Sequence, residues 1–143
     1  SQTFSKAWGL AAARVGIAFA PETIISLFNK VKPPYNVSQI NQLSAIEAIE
    51  NEIDFKENVN IILKEKERLK NELIQLAFVK KVYSSAANFF LVEVVDAEQL
   101  YNLLIEQKII IRNRNKQVKN TVRITIGSIE ENNRLINALK KIK

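Results

Sequence analysis

The sequence contains no cysteine and no histidine. The first absence excludes a disulfide framework and any thiolate metal site, and the second removes imidazole from catalysis and from metal binding. Methionine is also missing, so the 143 residues carry no initiator, as expected of a portion of a longer polypeptide. Glycine and proline number three each. Each one therefore marks a place where the backbone needs special geometry. No apolar run approaches the roughly 20 residues that span a bilayer.

What is present reads as an ordinary globular composition, with 47% hydrophobic and 25% charged residues. The length fits one domain, or one small domain with a piece of another. The net charge is +6. Most lysines alternate with glutamates, the pattern of a solvated helix face. One basic tract is uncompensated: Lys108, Arg112, Arg114, Lys116, Lys119 and Arg123 follow one another with no acid among them. Such a tract suits an anionic small molecule or nucleic acid.

Residues 1–13 read as an irregular segment, and Arg14 to Ala20 as a short β-compatible run. Pro21-Glu22 opens a helix with Ile24, Ile25, Leu27, Phe28 and Val31 as its apolar side, and Pro33-Pro34 stops it. Ser38 is placed to cap a helix carrying Ile40, Leu43, Ile46, Ile49 and Ile53 along one side. A longer helix is expected from Asp54, where Asp54 and Glu57 form a capping box. Its apolar stripe runs from Phe55 to Ala77, with Lys64, Glu65, Glu67, Arg68, Lys70 and Glu72 on the exposed side. The period then changes. Val79–Ser84 and Phe89–Val95 suggest a hairpin or neighbouring strands, with Phe89 and Phe90 both read as core. Asp96 opens a short helix, Ile109–Ile111 reads as a strand, and Thr121–Ile126 alternates as another. Ser128 and Glu131 form a second capping box before a last helix that buries Leu135, Ile136, Leu139 and Ile142. The order after residue 34 is α, α, β, β, α, β, β, α. It predicts an α+β fold, a small mostly antiparallel sheet with helices packed on one face.

Two stretches carry candidate chemistry. In Thr3-Phe4-Ser5-Lys6-Ala7-Trp8-Gly9, one lysine sits among small and hydroxyl residues, and Arg14 follows eight positions later with Val15-Gly16 next. A lysine that attacks a carbonyl must lose its proton easily, and a nearby cation favours that loss. Arg14 can also pair with a phosphate through its planar fork, while Ser5 and Thr3 supply hydroxyl donors. Glycines at 9 and 16 allow close backbone approach. The second stretch is Arg112-Asn113-Arg114-Asn115-Lys116-Gln117 followed by Val122-Arg123-Ile124-Thr125-Ile126-Gly127. Arg112 ends a strand and Arg123 lies within one, on the face opposite Val122 and Ile124. The two guanidinium groups could converge on one dianionic phosphate.

The Lys6 stretch resembles the cofactor-lysine motif of fold-type I pyridoxal-phosphate (PLP) aminotransferases. The second stretch resembles the C-terminal signature of the histidinol-phosphate aminotransferases within that group, and Lys32-Pro33-Pro34-Tyr35-Asn36 is similar to their interdomain segment. The resemblance implies that residues 1–32 are the end of the PLP-binding large domain and residues 33–143 the C-terminal small domain. It implies Lys6 as the catalytic, cofactor-attaching lysine, Ser5 and Arg14 as holders of the cofactor phosphate, and Arg112 and Arg123 as substrate-binding residues, with no metal. The implied activity is exchange of an amino group between histidinol phosphate and 2-oxoglutarate in histidine biosynthesis, by a cytoplasmic homodimer with small-molecule substrates and neither nucleic acid nor membrane as partner. Because that motif normally lies past the middle of its polypeptide, the chain is expected to be the C-terminal part of such an enzyme, inactive alone. With its usual neighbours missing, residues 1–13 are expected to be weakly anchored. Two alternatives stand beside this one: another PLP aminotransferase with an aromatic or phospho-amino substrate, and a non-catalytic basic module that binds nucleic acid.

Overall fold

Capping and alternation decide most elements of the computed structural model, which describes residues 1–142. The chain divides into two compact units, Ser1–Val59 and Asn60–Lys143.

In the first unit, β1 (Gln2–Thr3) pairs antiparallel with β2 (Gly16–Ile17), Thr3 opposite Gly16. A Cβ on Gly16 would stand 3.0 Å from the Gln2 carbonyl oxygen, so glycine is what lets the strands close. Residues 1–13 are anchored by their own bonds: Phe4 N–H donates to the Val15 carbonyl at 3.1 Å, and Leu10 N–H to the Phe4 carbonyl at 3.0 Å. Phe4 is buried, and Trp8 stacks on Phe55 with ring centroids 4.2 Å apart. Helix α1 (Glu22–Val31) starts behind Pro21, and α2 (Gln39–Glu50) is capped by Ser38, whose hydroxyl accepts from Asn41 N–H at 3.3 Å. The apolar sides expected for these helices are present but not buried: Leu27, Phe28, Val31, Ile40, Leu43, Ile46 and Ile49 are all exposed. Tyr35 is 97% exposed.

Helix α3 (Glu52–Leu73) begins two residues earlier than the sequence suggests. The Asn51 carbonyl already accepts from Phe55 N–H, so Asp54 sits inside the first turn rather than capping it. An acid there still favours the positive end of the helix dipole.

The second unit is built on a four-stranded antiparallel sheet. Its strands are β3 (Val79–Val82), β4 (Phe89–Val94), β5 (Arg112–Asn113) and β6 (Thr121–Thr125), in the order β3-β4-β6-β5. Phe90 lies opposite Ile124 and Val92 opposite Val122, so these side chains share one face. That face meets Leu69 and Leu73 of α3, Leu100 and Leu104 of α4 (Ala97–Glu106), and Leu135 and Leu139 of α5 (Ile129–Leu139) in one core. Burying each such side chain contributes about 1.5–3 kcal/mol. The Ser128–Glu131 capping box forms at α5, and Asp96 caps α4. The expected strand at Ile109–Ile111 does not form. Lys108 turns left-handed at φ 57° and Ile109 N–H donates back to the Leu104 carbonyl, so these residues close α4 and pairing with β6 starts at Arg112. Strand β3 carries a register shift between Val79 and Lys81. Among the described residues, no helix is long and apolar enough to cross a membrane.

Glu65, expected on the solvated side of α3, is buried. Its carboxylate accepts from Arg68 Nε at 2.9 Å and from Asn132 Nδ2 at 2.8 Å. Asn132 in turn accepts from Gly127 N–H at 3.0 Å and donates to the Gly127 carbonyl at 3.1 Å. The Arg68 guanidinium holds the Glu65 carboxyl below its ordinary value of 4.5, against the opposing effect of burial. A carboxyl whose pKa is depressed by folding stabilises above its ordinary value, and that contribution is lost as pH falls through the folded-state value. The urea midpoint of the chain should therefore fall between pH 7 and the range below 4.5, and Glu65→Gln should lose less over the same interval. Equal losses in the two proteins would show that Glu65 titrates without linkage to folding.

Candidate functional site

The Lys6 side chain is exposed and forms no hydrogen bond among the described residues. Its surroundings are ordered around it. Gly9 adopts φ 70°, and its N–H donates to the Lys6 carbonyl at 3.0 Å, closing a tight turn. Thr3 Oγ1 accepts from Ser5 N–H at 3.1 Å and donates to Ser5 Oγ at 2.9 Å. Arg14 Nη1 reaches Ser5 Oγ at 3.5 Å and the Ala11 carbonyl at 3.0 Å. Arg14 itself sits at φ 54°, a conformation that costs a residue with a side chain about 1 kcal/mol or more and that clusters at functional sites. Ser5, Lys6 and Arg14 are thus held in one short loop, two hydroxyls and a guanidinium beside an available amine. That donor set suits a phosphate group, and Thr3 belongs to it.

In the second unit, Arg112 lies directly opposite Arg123 in the β5–β6 pair. Directly opposed residues put their side chains on one face about 5 Å apart, and like charges so placed repel. Arg112, Asn113, Lys116, Arg123, Glu98 and Tyr101 are among the residues lining a cavity of about 620 Å³. Glu98 accepts from Asn113 Nδ2 at 2.7 Å, which ties β5 to α4. The turn between the arginines is stitched by asparagines: Asn113 Oδ1 accepts from Asn115 N–H at 2.9 Å, and Asn115 Oδ1 from Asn120 N–H at 2.7 Å. Arg114 is half-buried and contributes its backbone N–H to the Thr121 carbonyl at 3.0 Å.

Phe89 is not a core residue. It lies on the sheet face opposite the core, and the Arg123 guanidinium sits over its ring at 4.9 Å. Arg123 Nε is buried without a hydrogen-bond partner among the described residues. Sequence periodicity missed Phe89, Glu98 and Tyr101. The strict alternation of β4 held the signal for Phe89, since Phe90, Val92 and Val94 fix the core face and leave 89 on the other.

Each sequence stretch therefore folds into a local cluster of cations and donors, one per unit. Against known proteins, the profile of aminotransferase class I and II matches residues 1–139. The chain belongs to the aminotransferase class I and II family. A histidinol-phosphate aminotransferase from Parabacteroides distasonis is 46% identical over 144 residues, which are 99% of this chain and 42% of that protein. The crystal structure of a histidinol-phosphate aminotransferase from Clostridium acetobutylicum superposes with a TM-score of 0.77 at 27% identity, over 85% of this chain and 38% of that one. A histidinol-phosphate aminotransferase from Sinorhizobium meliloti, solved with pyridoxal-5'-phosphate, matches with a TM-score of 0.81 at 24% identity over 99% of this chain and 41% of that one, a likeness of fold. The chain spans about 42% of the length of the curated aminotransferases it matches. The α+β architecture expected from the sequence is the one these aminotransferase structures share with it.

Proposed function

We propose that this chain carries the cofactor lysine and the substrate arginines of a PLP-dependent transaminase acting on histidinol phosphate and 2-oxoglutarate, working as a cytoplasmic homodimer. The observation that carries the reading is the cross-strand pair Arg112–Arg123 in one cavity. Two arginines on opposed strand positions lining one cavity call for a dianion there, and a phosphate monoester supplies one. The relatives at 45–46% identity, named for histidinol phosphate, support the substrate. PLP, when bound, supplies the electron sink for the amino-group exchange. Around it, Ser5 and Arg14 would hold the cofactor phosphate, and Lys6 would attach the cofactor and then move a proton at the substrate carbon. We assign residues 1–32 to the large domain and 33–143 to the small one, and the exposed apolar side of α1 supports a cover from further chain or a second subunit. The 143 residues by themselves should turn over no substrate and retain PLP weakly.

The nucleic-acid alternative asks for aromatic rings free to stack on bases. Both aromatic rings on the β3–β4 face opposite the core already carry a cation, Arg123 over Phe89 and Lys81 over Tyr83 at 4.6 Å. In the whole enzyme, Arg123→Ala should raise KM for histidinol phosphate by roughly 10- to 100-fold, the value of a charge-assisted hydrogen bond. KM for the amino acceptor and the cofactor absorbance should change far less. An unchanged KM for the phosphorylated substrate would remove the phosphate from Arg123.

A further inference from the structure

We propose that Phe89 is a positioning residue for anion capture, fixing the Arg123 guanidinium so that it meets a ligand through its terminal Nη atoms and not through Nε. The inference rests on the reading of Arg112 and Arg123 as an anion site and deepens it. In register, Leu91 stands opposite Arg123 and Thr125 opposite Phe89, so Phe89 is the diagonal neighbour of Arg123 on the same sheet face. Its ring centroid lies 4.9 Å from the guanidinium carbon, within cation–π range. Phe89 is half-buried, and Nε of Arg123 is shut away from solvent with no acceptor of its own. A guanidinium can grip an oxyanion either side-on, with Nε and one Nη, or end-on, with both Nη atoms. With Nε shut away, only the end-on edge remains for a ligand in the cavity.

A free arginine side chain loses rotamer freedom when it binds, and a stacked one has lost much of it already. Phe89 thus prepares Arg123 before the ligand arrives. It also offsets part of the repulsion from Arg112 across the β5–β6 pair, because the ring face is the negative end of its quadrupole. Leucine at 89 would keep an apolar side chain but not the quadrupole.

The experiment titrates inorganic phosphate into the full chain at ionic strength matched with chloride, following the arginine side-chain ¹⁵N–¹H resonances. The Arg123 Nη resonances should move with phosphate while its Nε–Hε resonance stays in place and exchanges slowly with water. Phe89→Leu should weaken phosphate binding by about threefold to tenfold and speed Hε exchange, the range expected for a partly desolvated cation–π contact. Phe89→Tyr should restore both, which a merely space-filling role does not require. The β6 amide resonances report whether the sheet is intact, and Phe89→Met replaces the leucine variant if it is not. A phosphate-induced shift of Hε as large as that of Nη, or unchanged affinity in Phe89→Leu, overturns the inference and leaves the anion site standing. No response from either arginine defeats the anion site, and this inference falls with it.

Discussion

Lys6→Ala in the whole enzyme is expected to abolish covalent retention of PLP and to lower turnover by at least about 10²–10⁴-fold, the contribution of a positioned acid–base group. The loop explains why no neighbour should stand in. Lys6 is the one lysine side chain in the segment from Ser1 to Gly16, and the groups around it are hydroxyls and a guanidinium. Arginine stays protonated and cannot serve as the base. Borohydride reduction followed by peptide mapping should place the pyridoxyl group on Lys6 in the native enzyme and nowhere in the variant. Cofactor phosphate contacts should survive, since Thr3, Ser5 and Arg14 are untouched, so the variant should still bind PLP reversibly. Trapping of the cofactor on another lysine with native turnover would refute the assignment. Arg14→Ala separates the two roles: it should weaken PLP retention while leaving Lys6 reactive.

The largest stability loss is expected at Asn132, which is buried and holds two elements together. Asn132→Leu keeps the volume but strips the Glu65 carboxylate of one donor and leaves the Gly127 N–H and carbonyl without their side-chain partner. A buried group left without its partner costs about 1–3 kcal/mol and the half-buried Gly127 groups less, so a loss of roughly 3 kcal/mol is expected. Arg68 still pairs with Glu65, which keeps the cost below that of an isolated buried charge. Combining Asn132→Leu with Glu65→Met should cost less than the sum of the two, because no carboxylate then remains to be satisfied. Urea unfolding of the four proteins measures the cycle. A single-variant loss under about 1 kcal/mol would mean that water replaces the lost partners.

The legible parts of this molecule are those whose cause is local in sequence. Ser38, Asp96 and Ser128 announce their helices because capping is a contact over two or three residues. The alternation of Val122, Ile124 and Ile126 announces a half-buried strand because the pleat has a period of two. The Glu65–Asn132 bond spans 67 positions and leaves no local mark, so both residues look like solvated helix positions. The three isoleucines at 109–111 have strand composition, but the left-handed turn at Lys108 and the bond from Ile109 to Leu104 use them to finish a helix. For the candidate site, Arg112 and Arg123 stand out as an uncompensated charge tract interrupting a strand, and the structure seats them opposite each other. Phe89 passes for core when its apolar run is read as a whole, and only the alternation of Phe90, Val92 and Val94 sets it on the other face, beside Arg123.

The register shift in β3 bears on how the chain behaves at high concentration. A sheet ends in strands with unpaired backbone groups, and a flat apolar edge invites another molecule to add on. Here one edge is β3, where Lys80 and Lys81 are exposed and the pairing slips between Val79 and Lys81. The other edge, β5, is two residues long and begins with Arg112. A second chain docking on either edge would have to bury cations against its own cations, and on β3 it would also meet a backbone whose bonds are out of step. The sheet is therefore blunted against fibrous assembly at both ends, and replacing Lys80 and Lys81 with valine should lower the concentration at which the chain forms thioflavin-positive aggregates.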